Sequence, residues 1–317
     1  MQLFLLFGLF FICYLLALIV TLGISLAGIP LEKIAAAGDL AGLLNFNLHD
    51  PEFVNKLKWA QLASSVLIFI VPPFVFAYLT ALPNIENKKN RLFSFLDLDK
   101  PFAVFYFLII PVLMIASLPL INVLAEINSA MKLPGFLSEI EQWMIKAEED
   151  AKQMTEAFLK MENTSSLVFN ITMVALIPAF GEELLFRGVV QKIFSKWTKN
   201  SHWGIWIAAA LFSAMHGQFF GFLPRMVLGG LLGYLLYWSG SLWVPVLAHF
   251  INNGSAVFVS FLIQSGAIPK EAENIGTGKD EIYFIVVGFI MVLVLIWLVY
   301  NRRIEGGKKI QDKGGIF

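Results

Sequence analysis

Cysteine is nearly absent: Cys13 is the single one among 317 residues. That excludes an internal disulfide, a cysteine-based metal cluster and a dithiol redox pair, and Cys13 itself lies in an apolar run, where it reads as a small packed or lipid-facing residue. Charge is scarce as well. Only 15% of the residues are charged, and the 23 basic side chains are balanced by 23 acidic ones. Soluble domains carry roughly a quarter charged residues. With no basic excess, nothing points to nucleic acid as a partner. The HExxH pattern of many zinc peptidases does not occur. No second copy of the chain's one intramembrane acidic motif occurs either, which weighs against the paired, repeated halves of a transporter.

Apolar sequence is what the chain has. It is 58% hydrophobic with a mean hydropathy of +0.73, and its apolar runs reach the roughly 20 residues that a spanning helix needs. It reads as an all-α, polytopic transmembrane bundle of about eight spans, embedded in the lipid of the cell membrane. The first run, 3–29, is longer than a signal-peptide core, has no basic segment ahead of it and shows no small-residue cleavage site before Pro30. A polar stretch with Asn47, His49, Asp50, Pro51 and Glu52 leaves the bilayer after it. Spans are expected at 60–82 and 102–124, the former interrupted by Pro72 and Pro73 and the latter by Pro111 and Pro119, where missing helix hydrogen bonds should produce kinks. Between 126 and 163 lies the largest polar insert. Ile140, Trp143, Met144, Ala147, Ala151, Met154 and Phe158 recur there at helical spacing, which predicts an amphipathic helix outside the membrane.

Asn163, Thr164 and Ser165 are cap-type residues for a fourth span that emerges at Lys192, Lys196 and Lys199. Further spans are expected at 203–220, 222–238, 242–263 and 282–300, followed by a basic tail with Arg302, Arg303, Lys308, Lys309 and Lys313. Placing that tail inside also puts inside the connector with Lys88, Lys89, Arg91 and Lys100 and the connector from Lys192 to Lys199, as the positive-inside rule requires. Both termini are then cytoplasmic. The division that follows is 1–163 for the first spans and the insert, 164–264 for a core of four spans, and 265–317 for the last span and tail.

Within the fourth span the run Gly181, Glu182, Glu183, Leu184, Leu185, Phe186, Arg187, Gly188 carries three charges at a depth where an ionisable side chain costs several kcal/mol (about 2.5 or more) unless it is paired or functional. Glu183 and Arg187 are four residues apart and share a helix face, whereas Glu182 lies about 100° around the axis without a local partner. Two of the four histidines, His216 and His249, also sit in apolar spans. By a rise of about 1.5 Å per residue, Glu182 lies roughly 15 Å from Lys192 and His249 roughly 12 Å from Ser241, so both can meet at one depth; His216 is deeper, roughly 22 Å from Ser201. A carboxylate and an imidazole can deprotonate a water, and a second imidazole with an amide can donate to an oxyanion. Glu182, His216 and His249 also form an acceptable three-ligand zinc set, so the spacing alone allows either no cofactor or a divalent metal. The competing reading is a non-catalytic transporter, immunity or scaffold factor in which the polar cluster packs or gates.

Glu182-Glu183-xxx-Arg187, Phe212-xxx-His216 and His249-xxx-Asn253, in this order on three apolar segments, resemble the CAAX-protease and bacteriocin-processing (CPBP, Rce1-like) family of intramembrane proteases. Phe222-Leu223-Pro224-Arg225, the glycines 229, 230 and 233, and Gly240-Ser241-Leu242-Trp243 fit the same spacing. The likeness covers about 168–255. It implies an intramembrane endopeptidase of the CAAX prenyl protease type 2 class acting on a membrane-associated protein or peptide. Residue by residue, Glu182 and His216 would activate the water, His249 and Asn253 would hold the oxyanion, and Glu183 and Arg187 would support them. Gly229 and Gly233 read as a small-xxx-small packing pair, and Arg225 as a residue that snorkels or meets a substrate carboxylate.

Overall fold

A computed structural model of the chain describes residues 1–28, 48–80, 88–274 and 282–311. Expectations that fall on 29–47, 81–87, 275–281 and 312–317, among them the polar stretch up to Asn47 and the last lysine, Lys313, lie outside the described residues. Ten helices make up the described architecture, with no strand among the described residues. They are α1 (Gln2–Leu26), α2 (Pro51–Thr80), α3 (Lys88–Phe95), α4 (Val104–Ser129), α5 (Ser138–Leu159), α6 (Thr164–Thr198), α7 (Ser201–Met215), α8 (Phe222–Ser239), α9 (Trp243–Gln264) and α10 (Ile282–Gln311).

Seven of them are long and apolar enough to cross a membrane: α1, α2, α4, α6, α8, α9 and the 282–302 part of α10. The expected fifth span, α7, has only 15 residues, a length of about 22 Å at helical rise. It nevertheless runs from one end of the bundle to the other. At one end the connectors meet: Lys192 pairs with Asp97 at 2.6 Å, Ser241 Oγ donates to Lys100 O at 2.6 Å, Trp243 Nε1 donates to Leu98 O at 3.0 Å and Leu242 N–H donates to Asp97 O at 3.1 Å. Leu6 of α1 clusters with Phe76, Leu96 and Leu98 at that same end, and the Arg302 guanidinium lies 5.9 Å from the Phe105 ring centroid. At the other end Asn128 of α4 donates to Phe219 O at 3.0 Å and accepts from Leu223 N–H, in the first turn of α8, at 2.6 Å. Gln264 of α9 and Asn170 of α6 donate to Leu159 O and Phe158 O there, each at 2.8 Å, and so pin the C-terminal end of α5. Chain entry and chain exit therefore lie at the same end, the one carrying Lys100, Lys192 and Lys196.

Proline leaves a mark in α2 and α6. Its missing N–H and its ring clash with the carbonyl four residues back force the helix open. In α2 the turn Val66–Ile70, just ahead of Pro72 and Pro73, widens to a π-helix, and in α6 the turn Ile171–Leu176 does so ahead of Pro178. Pro178 cannot donate to Val174 O; Asn253 Nδ2 of α9 does, at 3.2 Å. The interruption expected at Pro72 and Pro73 thus takes the form of a π turn, whereas α4 runs α-helical from Val104 to Ser129 through Pro111 and Pro119 without the one expected there. A third π turn, Phe186–Val190 next to the intramembrane acids, has no proline beside it, in keeping with the frequency of π turns near functional sites. Asn163 caps α6 as anticipated, accepting from Ser166 N–H at 2.9 Å while the Ser166 hydroxyl accepts from Asn163 N–H at 3.2 Å. Close approach between helices is bought with glycine: a Cβ on Gly181 would stand 2.8 Å from Phe69 Cβ, and one on Gly233 would stand 2.8 Å from both Gln191 Oε1 and Ile205 Cγ2.

Candidate active site

Four elements bring the intramembrane polar residues together. Glu182, Glu183 and Arg187 lie on α6, Phe212 and His216 at the C-terminal end of α7, Gly229 and Gly233 on α8, and His249 on α9. Glu182, Glu183, Arg187 and His249 are all buried, with Glu183 and Arg187 almost completely so. The Glu183–Arg187 pair forms as the spacing requires, with Arg187 Nη1 donating to Glu183 Oε1 at 2.7 Å. It is not self-contained. His249 Nδ1 lies 2.8 Å from the same oxygen, and Arg187 Nη2 donates to Gly229 O at 2.8 Å. Glu183 therefore joins α6 to α9, and Arg187 joins α6 to α8.

One helical turn on, Gln191 repeats the pattern by donating to Gly233 O at 3.3 Å. The Arg187/Gln191 spacing on α6 matches the Gly229/Gly233 spacing on α8. That shared interval of four is the signal by which the sequence discloses this contact, which a packing role for the glycines alone leaves out. Without side chains the glycines expose their carbonyls to the facing helix.

His249 points its other nitrogen at Glu182: Nε2 and Oε2 are 3.8 Å apart. That is too long for a direct hydrogen bond and short enough for one water to touch both. A carboxylate at Nδ1 fixes the ring's orientation and keeps a proton on Nδ1. Neutral His249 then offers Nε2 as an acceptor, and only the imidazolium donates from Nε2. The juxtaposition of Glu182 and His249 at one depth agrees with the helical-rise estimate.

His216 lies at the C-terminal end of α7 and is exposed. Its Nδ1 is 2.8 Å from Phe212 O. Because a carbonyl can only accept, Nδ1 carries the proton and Nε2 keeps its lone pair in the neutral ring. Phe212 is the hub that the motif reading treated only as a neighbour of His216. Its ring contacts His216 at 5.0 Å and His249 at 5.8 Å, both edge to face, and the Arg187 guanidinium lies 4.8 Å from its centroid. The two imidazoles thus flank one aromatic plate. Asn253 Nδ2 donates one of its two N–H groups to Val174 O at 3.2 Å, and its Oδ1 accepts from Asn252 at 3.1 Å, which leaves one Nδ2–H for the oxyanion role implied by resemblance.

As for metal, no group of three His, Cys, Asp or Glu side chains among the described residues converges so as to hold an ion. Glu182, His216 and His249 do not close around one point, and the three-ligand zinc set that their spacing permits is not formed by this arrangement.

Residues 164–255 match the family described as type II CAAX prenyl endopeptidase Rce1-like. That segment is similar to the Rce1-like family over somewhat less than a third of the chain. It runs from the first residue of α6 into α9 and contains every residue of the site just described. The protein called "Uncharacterized protein YpbD" of Bacillus subtilis (strain 168) is 38% identical over 93 residues, a match covering 28% of this chain and 43% of that protein. The chain therefore aligns with less than half the length of that relative. No solved structure matches the chain. The matched segment holds the intramembrane polar residues, while α2 packs against α6 in an apolar cluster that α1 joins, and α4 packs against α9, from outside it.

Proposed function

We propose that the protein is an intramembrane endopeptidase that hydrolyses a peptide bond in a membrane-associated protein or peptide through a water activated by Glu182. The observation that carries this reading is the buried Glu182–His249 pair, 3.8 Å apart, with His249 held from behind by Glu183 inside an Rce1-like segment. Glu182 takes a proton from the water, whose oxygen attacks the scissile carbonyl carbon. The carbonyl oxygen becomes an oxyanion, which the Nε2–H of protonated His249 stabilises. Glu182 then returns the proton to the leaving nitrogen as the C–N bond breaks. His216, with Nδ1–H committed to Phe212 O, sits against the same Phe212 ring as His249 and presents Nε2 as an acceptor beside the site, apart from the water held by Glu182. Arg187 and Glu183 fix the charges around His249, and Asn253 holds α9 against the π turn of α6.

The test is a comparison of membrane proteomes from cells with the intact protein and with Glu182→Gln, followed by cleavage of any accumulated species with purified protein. Removing a positioned base costs about 100- to 10,000-fold in rate, so Glu182→Gln should be nearly inert while remaining folded. A well-folded Glu182→Gln protein that cleaves at the wild-type rate would overturn the reading in favour of a packing or gating role for the cluster.

A further inference from the structure

Beside the catalytic-type residues lies a second polar arrangement that the reaction as written does not use. Arg225, in the first turn of α8, donates from Nη1 to Gln218 Oε1 at 2.6 Å and from Nη2 to Gln218 O at 2.9 Å. Gln218 in turn donates from Nε2 to Glu148 Oε1 of α5 at 3.3 Å. One donor and one acceptor are left over. Arg225 Nε and Glu148 Oε2 are both buried and have no hydrogen-bond partner, a condition that native structures seldom leave unused.

Both residues line a cavity of 290 Å³ whose other walls include Gln218, Asn252, Ile121 and Leu228. Gln218 follows His216 by two residues, and Asn252 donates to Asn253 at 3.1 Å on the helix that carries His249. The cavity therefore adjoins the site. Its volume is at the lower limit of ligand cavities, about 300 Å³, which suits a short segment of chain. Its charges are balanced: Glu148 offsets Arg225 through Gln218, so an added anion would face a carboxylate and an added cation a guanidinium. A neutral group that accepts one hydrogen bond and donates another fits both orphan atoms, and a peptide unit is such a group.

We infer that this cavity holds the backbone of the substrate segment beside the scissile bond, with Arg225 Nε–H donating to a peptide carbonyl and Glu148 Oε2 accepting from a peptide N–H. The occupant is an internal stretch of chain and not a free terminal carboxylate. The inference rests on the endopeptidase reading above and deepens it: α5 becomes part of the substrate site, and Glu148 and Arg225 become positioning residues.

The experiment measures binding and cleavage separately on full-length protein in lipid nanodiscs. The binding arm uses Glu182→Gln protein and a random decapeptide library capped by acetyl and amide groups, with the same library bearing a free C-terminal carboxylate as comparison, and reads retention by mass spectrometry. Retention of the capped library is expected, with a loss of about tenfold on adding Glu148→Gln or Arg225→Lys, the usual effect of one hydrogen bond to a charged group. Thermal unfolding confirms that the variants are folded, and Glu148→Gln lies on a peripheral helix in case Arg225→Lys does not fold. Retention unaffected by either substitution, retention of the free-carboxylate library alone, or no retention by folded protein each overturns the inference. In the cleavage arm the protein with Glu182 restored is given the same library. No cleavage together with sensitive binding overturns the endopeptidase reading, and with it the placement beside a scissile bond, while the binding of peptide backbone by Glu148 and Arg225 stands. Cleavage whose KM is indifferent to Glu148→Gln and Arg225→Lys overturns this inference alone, whereas a raised KM at unchanged kcat supports it.

Discussion

Glu183 Oε1 takes two partners, Arg187 Nη1 and His249 Nδ1, while Glu183 Oε2 is buried with no hydrogen-bond partner. Removing Arg187 therefore strands a carboxylate that can no longer reach water. Losing one member of a buried pair costs about 3–5 kcal/mol, so Arg187→Ala should lower the unfolding temperature in detergent markedly; an Arg187→Ala protein as stable as wild type but inactive would move Arg187 into the chemistry. Glu183→Gln keeps the shape and discards the charge that stabilises protonated His249. A fall in kcat of about 10- to 100-fold is expected, as for other groups that orient a catalytic imidazole, with KM little changed; an effect confined to KM would contradict it. The three potential zinc ligands do not converge, so elemental analysis should find no stoichiometric zinc, and one zinc per chain that vanishes in both His216→Ala and His249→Ala would reverse that expectation. At this scale the sequence disclosed which polar residues lie within the apolar helices and little of what each touches. Four-residue spacing was enough for Glu183 with Arg187, and depth counting was enough for Glu182 with His249. Phe212, touching three charged or titratable side chains at once, left no trace in periodicity because its partners come from three helices.

Helix ends and helix contacts followed the sequence where the signal was local. The Asn163 cap, the disruption at Pro72 and Pro73 and the spans beginning near residues 102, 222, 242 and 282 are all visible in residue order, whereas Pro111 and Pro119 announce an interruption that α4 does not show. Contacts that a side chain makes across helices were not, because nothing in the local pattern of Asn128, Asn170 or Gln264 says which distant backbone group it will satisfy. The short α7 shows the limit from the other direction: its apolar run continues through Phe219 and Phe220, but helix stops at Met215 with Gly217 at positive φ, where glycine has no steric penalty. Helix separation should be most sensitive at Gly181, next to Glu182. A Cβ there meets Phe69 at 2.8 Å, and relieving an overpacked contact costs about 1–3 kcal/mol. Gly181→Ala should lower both the unfolding temperature and the cleavage rate. At Gly254, where the nearest atom to an added Cβ is Ala175 Cβ at 3.8 Å, the same substitution should be nearly silent in both measurements.

Across the whole molecule the two ends differ. One gathers Lys100, Lys192 and Lys196 with the chain's entry and exit; the other carries α5 with its excess of acids. By the positive-inside rule the first end is expected in the cytoplasm. In a Cys13→Ala background, a membrane-impermeant maleimide should label Glu149→Cys in intact cells and Lys196→Cys only after permeabilisation, and the opposite pattern would invert the topology. Counting crossings and basic connectors was sufficient to foresee that entry and exit share an end. The seating of α5 on the loop after His216 was not foreseeable, since an amphipathic stripe says that a helix lies on something without saying on what.

The tie between Leu98 and Trp243 spans 145 residues of chain, and Lys192 reaches back to Phe95 O across 97. During synthesis at about 5–20 residues per second, the turn that follows α3 must wait roughly 7–30 s before Trp243 emerges to meet it. Through that interval α1, α2 and α4 are in the bilayer with the groups that close their shared end unengaged. A nascent chain halted before residue 243 would therefore hold inserted helices without an assembled site, so the timing of assembly is set by the last motif to be made, the one that also delivers His249.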